Sequence, residues 1–293
     1  MCSSDLASVG VGAKPSSVAF DGRYVWAAME GVGFEPSISN RVYKIDPATN
    51  AVVAVVPVGD TPRAVLFDGT SIWVSNNTDG TLSKIDPTTN AVVATVSVGS
   101  GPNGMAFDGT NVWVTNSGSS SISKIDPTSE TVVDTYSVGI APIAAAYDGR
   151  NLWVADIGGD SVHKVDPATG VVATTVSVGD GPVAVVTDGF NLFVANRNAG
   201  TISRVSQLTG AVVATVPVGA GDQPSGLAFD GTNVWVTLPG AGSSNGKVCA
   251  ISRSTNTCAG FVDVALKPTG IVFDGSNLWV TNSNTYSVSR IRP

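Results

Sequence analysis

The chain has 293 residues, of which 43% are apolar and 13% are charged, and its formal net charge is -7. This charge argues against nucleic acid and anionic membranes as partners, because no basic face is available to neutralise phosphates. No apolar run approaches the length of a transmembrane segment, and 33 glycines suit an all-β protein with many tight turns.

The first six residues, Met1 to Leu6 (MCSSDL), match nothing later in the chain. The letters CSSDL are also what the end of a widely used sequencing adapter encodes in frame. We therefore expect 1–6 to be a non-repeat segment that arose as an assembly artefact. On this hypothesis the natural N-terminus, with any signal peptide, lies outside this sequence, and 7–293 form a single domain.

One repeated unit, represented by Pro102 to Gly139, accounts for that domain. Each unit shows four short runs rich in β-branched and aromatic residues, separated by Asp-Gly, polar and Asp-Pro turns, which predicts four strands. No segment shows a 3.6-residue apolar period, so no helix is predicted. The seven units begin at Pro15, Pro62, Pro102, Pro142, Pro182, Pro224 and Pro268.

The two ends of the chain complement each other. Ala7 to Lys14 match only the tail of a unit, whereas the last unit stops at its third strand, Ser287 to Ile291. A radial array of four-stranded blades has to close, and sharing one blade between the termini closes it with strand hydrogen bonds. The sequence therefore predicts an all-β, seven-bladed β-propeller in which the N-terminal strand completes the last blade. The same strand could instead complete a blade of a second copy and build a filament by strand addition.

Most of the recurring residues are explained by the fold. An aromatic residue in each second strand is predicted to be core, and an Asp before Gly in each first turn is predicted to be a turn former. A cation on the third strand of most units is predicted to lie on a solvent face. The aromatic residues are Trp26, Trp73, Trp113, Trp153, Phe193, Trp235 and Trp279, and the cations are Lys44, Lys84, Lys124, Lys164, Arg204 and Arg290.

The segments NVWVTN, SIWVSN and NLWVTN, with PNGMAFDG before and KIDPTTNAVVATVSVG after, resemble the YVTN-type β-propeller repeat over almost the whole chain. That resemblance implies a seven-bladed propeller of a bacterial or archaeal secreted or cell-surface protein, and it implies no particular chemistry. The same phrases are similar, more distantly, to streptogramin (virginiamycin B) lyase, a metal-assisted lyase that relies on histidine and glutamate near its channel. The single histidine here is His163, on a third strand where other units carry serine. The lyase's histidine set is therefore missing.

Residues that break the repeat are the candidates for binding. In a propeller of this strand order, the loops from second to third strand and from fourth strand to the next blade share one face around the channel mouth. Longer loops of the first and sixth units on that face, together with the segments before Pro15, Pro224 and Pro268, predict a raised lip over one sector. The candidate ligand-binding residues are Lys14, Glu30, Phe34, Glu35, Asp222, Gln223 and Lys267.

Two further possibilities concern metal and sulfur. Asp156, Asp160 and Asp180 lie in or near loops of the same face, and their oxygens could hold Ca²⁺, although turn capping also explains Asp156. Otherwise no cofactor is predicted. Cys249 and Cys258 bracket a turn and would lie on neighbouring strands, so they form either a disulfide or a pair of small core residues in a reducing cytosol.

No catalytic residue is predicted, because one histidine cannot complete a Ser-His-Asp set and no phosphate loop is present. The leading hypothesis is a non-catalytic, extracellular or cell-surface scaffold whose partner is a protein, a surface glycan or a second copy of itself. Small residues two positions after each proline favour this hypothesis. The alternative is a lyase or hydrolase at the channel mouth. A glycoside hydrolase would need two carboxylates facing each other across a cleft, for which Glu30 with Asp222 or Asp60 are the available residues.

Overall fold

The computed structural model describes residues 7–30, 40–219, 221–240 and 245–293. In these residues the chain forms seven four-stranded antiparallel sheets, which are the blades of a β-propeller, and contains no helix. Accordingly, no membrane-crossing helix is found in the part of the chain that the structure describes. The predicted all-β fold and its seven blades are confirmed.

Each blade runs outward from the channel in four strands. The innermost strands are β2 (Lys14–Phe20), β6 (Pro62–Phe67), β10 (Pro102–Phe107), β14 (Pro142–Tyr147), β18 (Pro182–Thr187), β22 (Leu227–Phe229) and β26 (Pro268–Phe273). The second strands are β3 (Val25–Glu30), β7 (Ile72–Asn76), β11 (Val112–Asn116), β15 (Leu152–Asp156), β19 (Asn191–Asn196), β23 (Val234–Leu238) and β27 (Leu278–Asn282).

The third strands are β4 (Arg41–Asp46), β8 (Thr81–Asp86), β12 (Ser121–Asp126), β16 (Ser161–Val165), β20 (Thr201–Ser206), β24 (Lys247–Ser252) and β28 (Ser287–Ile291). The outermost strands are β5 (Ala51–Pro57), β9 (Ala91–Ser97), β13 (Thr131–Ser137), β17 (Val172–Ser177), β21 (Val212–Pro217), β25 (Thr257–Asp263) and, for the seventh blade, β1 (Ala7–Gly10).

The ring closes as the complementary termini predict. Strand β1 pairs antiparallel with β28, with Ser8 opposite Ser289 and Val9 opposite Val288. Val9 and Val288 are both buried in one core cluster, so apolar burial reinforces the strand hydrogen bonds. In this structure the N-terminal strand therefore completes a blade of its own chain.

Close packing of the innermost strands explains the small residues two positions after each proline. The innermost strands of successive blades contact one another around the whole ring. A Cβ atom added to Gly104 would lie only 2.7 Å from the Cα of Ala144, and one added to Gly270 would lie 3.1 Å from the Cα of Ser17. Larger side chains at these positions would push the blades apart.

The recurring aromatic residues form the core between blades, as predicted. Six indole groups also donate a hydrogen bond to the Asp of the preceding Asp-Gly turn, as Trp113 Nε1 does to Asp108 Oδ2 at 2.7 Å. The other oxygen of Asp108 accepts from the backbone N–H groups of Thr110 and Asn111. Each such Asp therefore holds both a turn and a core side chain.

The prediction that the third-strand cations face solvent is wrong. Lys124 donates to the carbonyl oxygen of Pro167 in the next blade at 2.9 Å and lies over the ring of Trp113. Trp113 and Lys124 are direct cross-strand partners, which places both side chains on the face that packs against the neighbouring blade. The equivalent cations make the same bond, from Lys44, Lys84, Lys164, Arg204 and Arg290 to Pro87, Pro127, Gln207, Arg253 and Pro47 respectively.

Candidate functional site

A cavity of about 620 Å³ opens at one end of the central channel, and residues from all seven blades line it. Its walls come from the first residues of the innermost strands, from loops between second and third strands, and from the loops that lead into the sixth and seventh blades. These are the loops predicted to share one face. We call this cavity the mouth and the surface around it the mouth face.

The residue directly after the proline that opens each unit differs in chemistry from blade to blade. In the first, sixth and seventh blades it is a hydroxyl residue that bonds to the next blade, as Ser16 Oγ does to the carbonyl of Pro62 at 2.9 Å. In the second to fifth blades it is cationic, amide-bearing or apolar. The seven residues are Ser16, Arg63, Asn103, Ile143, Val183, Ser225 and Thr269.

Three charged residues form a clamp at one side of the mouth. Glu30, at the end of β3, accepts a hydrogen bond from Lys14 Nζ on one carboxylate oxygen and is paired with Arg63 Nη1 on the other, both at 2.8 Å. Glu30 is the sole carboxylate among the described residues that line the mouth. The clamp joins the first blade to the second, and it occupies both oxygens of Glu30 with cations.

Two further cations line the mouth and have no such partner among the residues that the structure describes. The side chains of Arg197, after β19, and Lys267, before β26, line the cavity and are accessible to its solvent. Neither side chain has a hydrogen bond or an ion pair to a described residue. Desolvation by the surrounding wall lowers the pKa of Arg197 from its ordinary value. The guanidinium remains charged, because an arginine side chain is not deprotonated in proteins.

The opposite part of the wall is apolar. Ile143 and Val183 are partly exposed to the cavity, and Ala144 and Ala184 lie beside them. No aromatic residue lines the mouth among the described residues. The mouth therefore combines cations with an aliphatic wall.

The structure brings together only some of the candidate binding residues. Lys14, Glu30, Gln223 and Lys267 line the mouth. Asp222 lies instead in a separate shallow hollow beside Gly219 and Gly221. Phe34 and Glu35 lie outside the described residues. The hydrolase pairing is not assembled either, since Asp222 does not line the mouth and Asp60 accepts a hydrogen bond from Asn40.

Each carboxylate of the proposed calcium site has local partners. Asp156 accepts hydrogen bonds from the backbone of Ile140 and Ala141 at 2.9 and 2.7 Å. Asp160 accepts from the backbone of Gly181, and Asp180 accepts from the amide of Asn198. No group of three His, Cys, Asp or Glu side chains suited to a metal occurs in the described ranges.

His163 is buried in the fourth blade. One ring nitrogen lies 3.0 Å from Thr175 Oγ1 and the other lies 3.4 Å from Asp156 Oδ2. Burial alone would raise the pKa of Asp156, but hydrogen bonds from Ala141, Ile140 and His163 outweigh it and lower that pKa. His163 does not line the mouth, so it has a structural explanation within its blade.

Cys249 and Cys258 are joined by a disulfide in the structure, with their Cα atoms 5.8 Å apart, within the usual range for disulfides. Cys249 lies on β24 and Cys258 on β25, two neighbouring strands of the sixth blade. Cys249 is completely buried.

Comparison with solved structures supports the fold. The hydrazine synthase of Kuenenia stuttgartiensis is 20% identical, with a TM-score of 0.82 and coverage of 96% of each chain. The protein U3-55K is 12% identical, with a TM-score of 0.84 and coverage of 99% of this chain and 98% of that one. No protein-family profile and no curated protein matches the sequence. The chain is therefore assigned to the class of seven-bladed β-propellers.

Proposed function

We propose that the protein is a non-catalytic β-propeller that acts outside the cytoplasm as an interaction scaffold and engages a protein or surface glycan through its mouth face. The observation that carries this proposal is the convergence of the residues that differ between repeats. Arg63, Arg197, Lys267 and the Glu30 clamp all meet at the mouth. The opposite face carries the uniform Asp-Gly and Asp-Pro turns.

A binding role is better supported than catalysis. Proton transfer in a hydrolase or lyase requires an acid or base within reach of the substrate. Among the described lining residues, Glu30 is the sole carboxylate and both of its oxygens are held by cations. The one histidine of the chain lies elsewhere, against Asp156 and Thr175. The mouth thus offers recognition groups rather than a paired acid and base.

Site-specific cross-linking tests which face binds. A photo-reactive amino acid at Asn284, which lines the mouth, is compared with one at Thr110, which is exposed in an Asp-Gly turn of the opposite face. Both variants are incubated with surface extract of the source cells. We expect cross-linked products from the Asn284 variant and few from the Thr110 variant. Products concentrated at Thr110 would contradict the proposal.

The proposed location rests on the YVTN-type resemblance and on the bond between Cys249 and Cys258. Disulfides persist in oxidising compartments and are rare in the cytosol. Protein isolated from its source into a thiol-blocking reagent, without reduction, is expected to carry no label on either cysteine. Labelling of both residues would indicate a reducing compartment and would remove this support for export.

A further inference from the structure

We propose that the mouth recognises the free C-terminal carboxylate of a partner polypeptide that ends in aliphatic residues. This inference rests on the proposed function, because it names what the mouth face binds. It is carried by the charge of the mouth, by its position at the end of the central channel and by its apolar wall.

The charge of the mouth is opposite to that of the whole chain. Four cationic side chains and one carboxylate line it among the described residues, although the chain as a whole has a formal net charge of -7. Because Glu30 is already paired, Arg197 and Lys267 remain available to an incoming anion. A guanidinium pairs bidentately with a carboxylate, and such charge-assisted hydrogen bonds are the strong ones.

The position of the mouth on the channel axis favours the end of a chain over its middle. Residues of all seven blades surround the cavity, so a ligand enters along the channel axis. A chain end can enter along this axis, whereas a continuous strand would lie across the opening. A volume of about 620 Å³ is within the roughly 300 to 1,000 Å³ that is usual for small-ligand sites, and capture of a terminal carboxylate is a known mode of peptide recognition.

The lining chemistry favours a peptide over an acidic glycan. Ile143, Val183 and their alanine neighbours offer aliphatic surface, which an aliphatic side chain would cover with a favourable change in free energy. A sugar ring would find no aromatic face to stack on among the described lining residues. Asn103, Gln223 and Asn284 can bond to the peptide amides.

The test uses the intact protein and an acetylated hexapeptide that ends in Ala-Val-Leu, supplied as the free acid and as the C-terminal amide. Calorimetric titration is expected to show binding of the acid and binding at least about tenfold weaker for the amide, because the amide lacks the negative charge. The same titration is run with an oligosaccharide of glucuronic acid as the glycan probe.

Substitutions of single cations test whether the peptide acid binds in the mouth. Arg197→Gln is expected to weaken binding of the acid by about tenfold or more, and Lys267→Gln is expected to weaken it as well. Both side chains are solvent-accessible and make no hydrogen bond or ion pair to a described residue, so the unfolding temperature should change little. Arg150→Gln is the matched control, since Arg150 is exposed in an Asp-Gly turn of the opposite face and its loss changes the net charge equally.

The inference is overturned if the acid does not bind, if acid and amide bind equally, if Arg150→Gln weakens binding as much as Arg197→Gln, or if the glucuronate probe binds more tightly than the peptide. Cross-linking that still concentrates at Asn284 in any of these cases would leave the binding face in place and remove only the assigned ligand. Cross-linking at Thr110 would remove both.

Discussion

Asp188 Oδ2 lies 3.3 Å from Nη1 of Arg253, a residue of the next blade. In six blades the equivalent oxygen accepts a hydrogen bond from an indole, but the fifth blade has Phe193 in place of tryptophan. Arg253 thus supplies a donor where the indole is missing. This substitution indicates that the buried oxygen needs a donor, and it makes the Asp–Trp pairs a target for mutation.

Replacing Trp113 by Phe keeps most of the ring in the core but removes the donor to Asp108. We expect the free energy of unfolding to fall by about 1 to 3 kcal/mol, because a carboxylate oxygen loses its partner. Trp113→Ala should cost more, about 3 to 5 kcal/mol, because it also leaves a cavity. Denaturant unfolding measures both changes. A Trp113→Phe variant that is as stable as the wild type would show that the hydrogen bond contributes nothing.

The lowered pKa of the turn aspartates leads us to expect a loss of stability in acid. Burial opposes ionisation of Asp108, but hydrogen bonds from Trp113, Asn111 and Thr110 outweigh it, and the pKa of Asp108 lies below its ordinary value. The same balance lowers the pKa of Asp188 and Asp274. A depressed folded-state pKa stabilises the fold above the unfolded pKa, about 3.9 for Asp, and this stabilisation is lost as the pH falls through the folded value.

We therefore expect Asp108→Asn to be less stable than the wild type at neutral pH, and the difference to shrink below about pH 4. Denaturant unfolding across this range, followed by circular dichroism, measures both proteins. A difference that stays constant down to the acid limit would contradict the ionised, hydrogen-bonded state of Asp108.

We expect the third-strand cations to stabilise the packing between neighbouring blades. Lys124→Met keeps an unbranched side chain over Trp113 but removes the hydrogen bond to Pro167 and the cation–π contact. We expect a loss of about 1 to 3 kcal/mol in the free energy of unfolding. Arg150→Met is the control, because it removes one positive charge at an exposed position. It should change stability little. Equal effects of the two substitutions would restore the solvent-face interpretation.

Ring closure predicts where a designed disulfide forms. Ser8 and Ser289 are direct partners in the β1–β28 pair, so cysteines at both positions are close enough to bond. If each chain closes its own ring, oxidation should give a cross-linked monomer on a non-reducing gel. A ladder of covalent oligomers would instead support strand addition between copies.

The recurring repeat and complementary termini were sufficient to predict the propeller, its blade number and its closure. Breaks in the repeat indicated four of the residues that line the mouth, namely Lys14, Glu30, Gln223 and Lys267. Arg197, in the loop after β19, was not predicted as a binding residue. Arg63 was not predicted either, although it stands at a position that varies between units, because the prediction used the small residue two positions after each proline. That residue is fixed by packing between blades, whereas the one before it reaches the mouth.

The orientation of the third-strand cations was misjudged for a related reason. Their recurrence was visible, but the pattern was interpreted without the cross-strand register that opposes Lys124 to Trp113. A residue directly opposite a buried tryptophan shares its face of the sheet, so this register predicts contact with the next blade.

The most direct test of the account is a crystal structure of the protein with the free-acid peptide. The account predicts density in the mouth, with the terminal carboxylate about 2.7 to 2.9 Å from the guanidinium of Arg197 and the last side chain against Ile143 or Val183. A peptide bound along an outer strand or on the opposite face, with the mouth unoccupied, would contradict it.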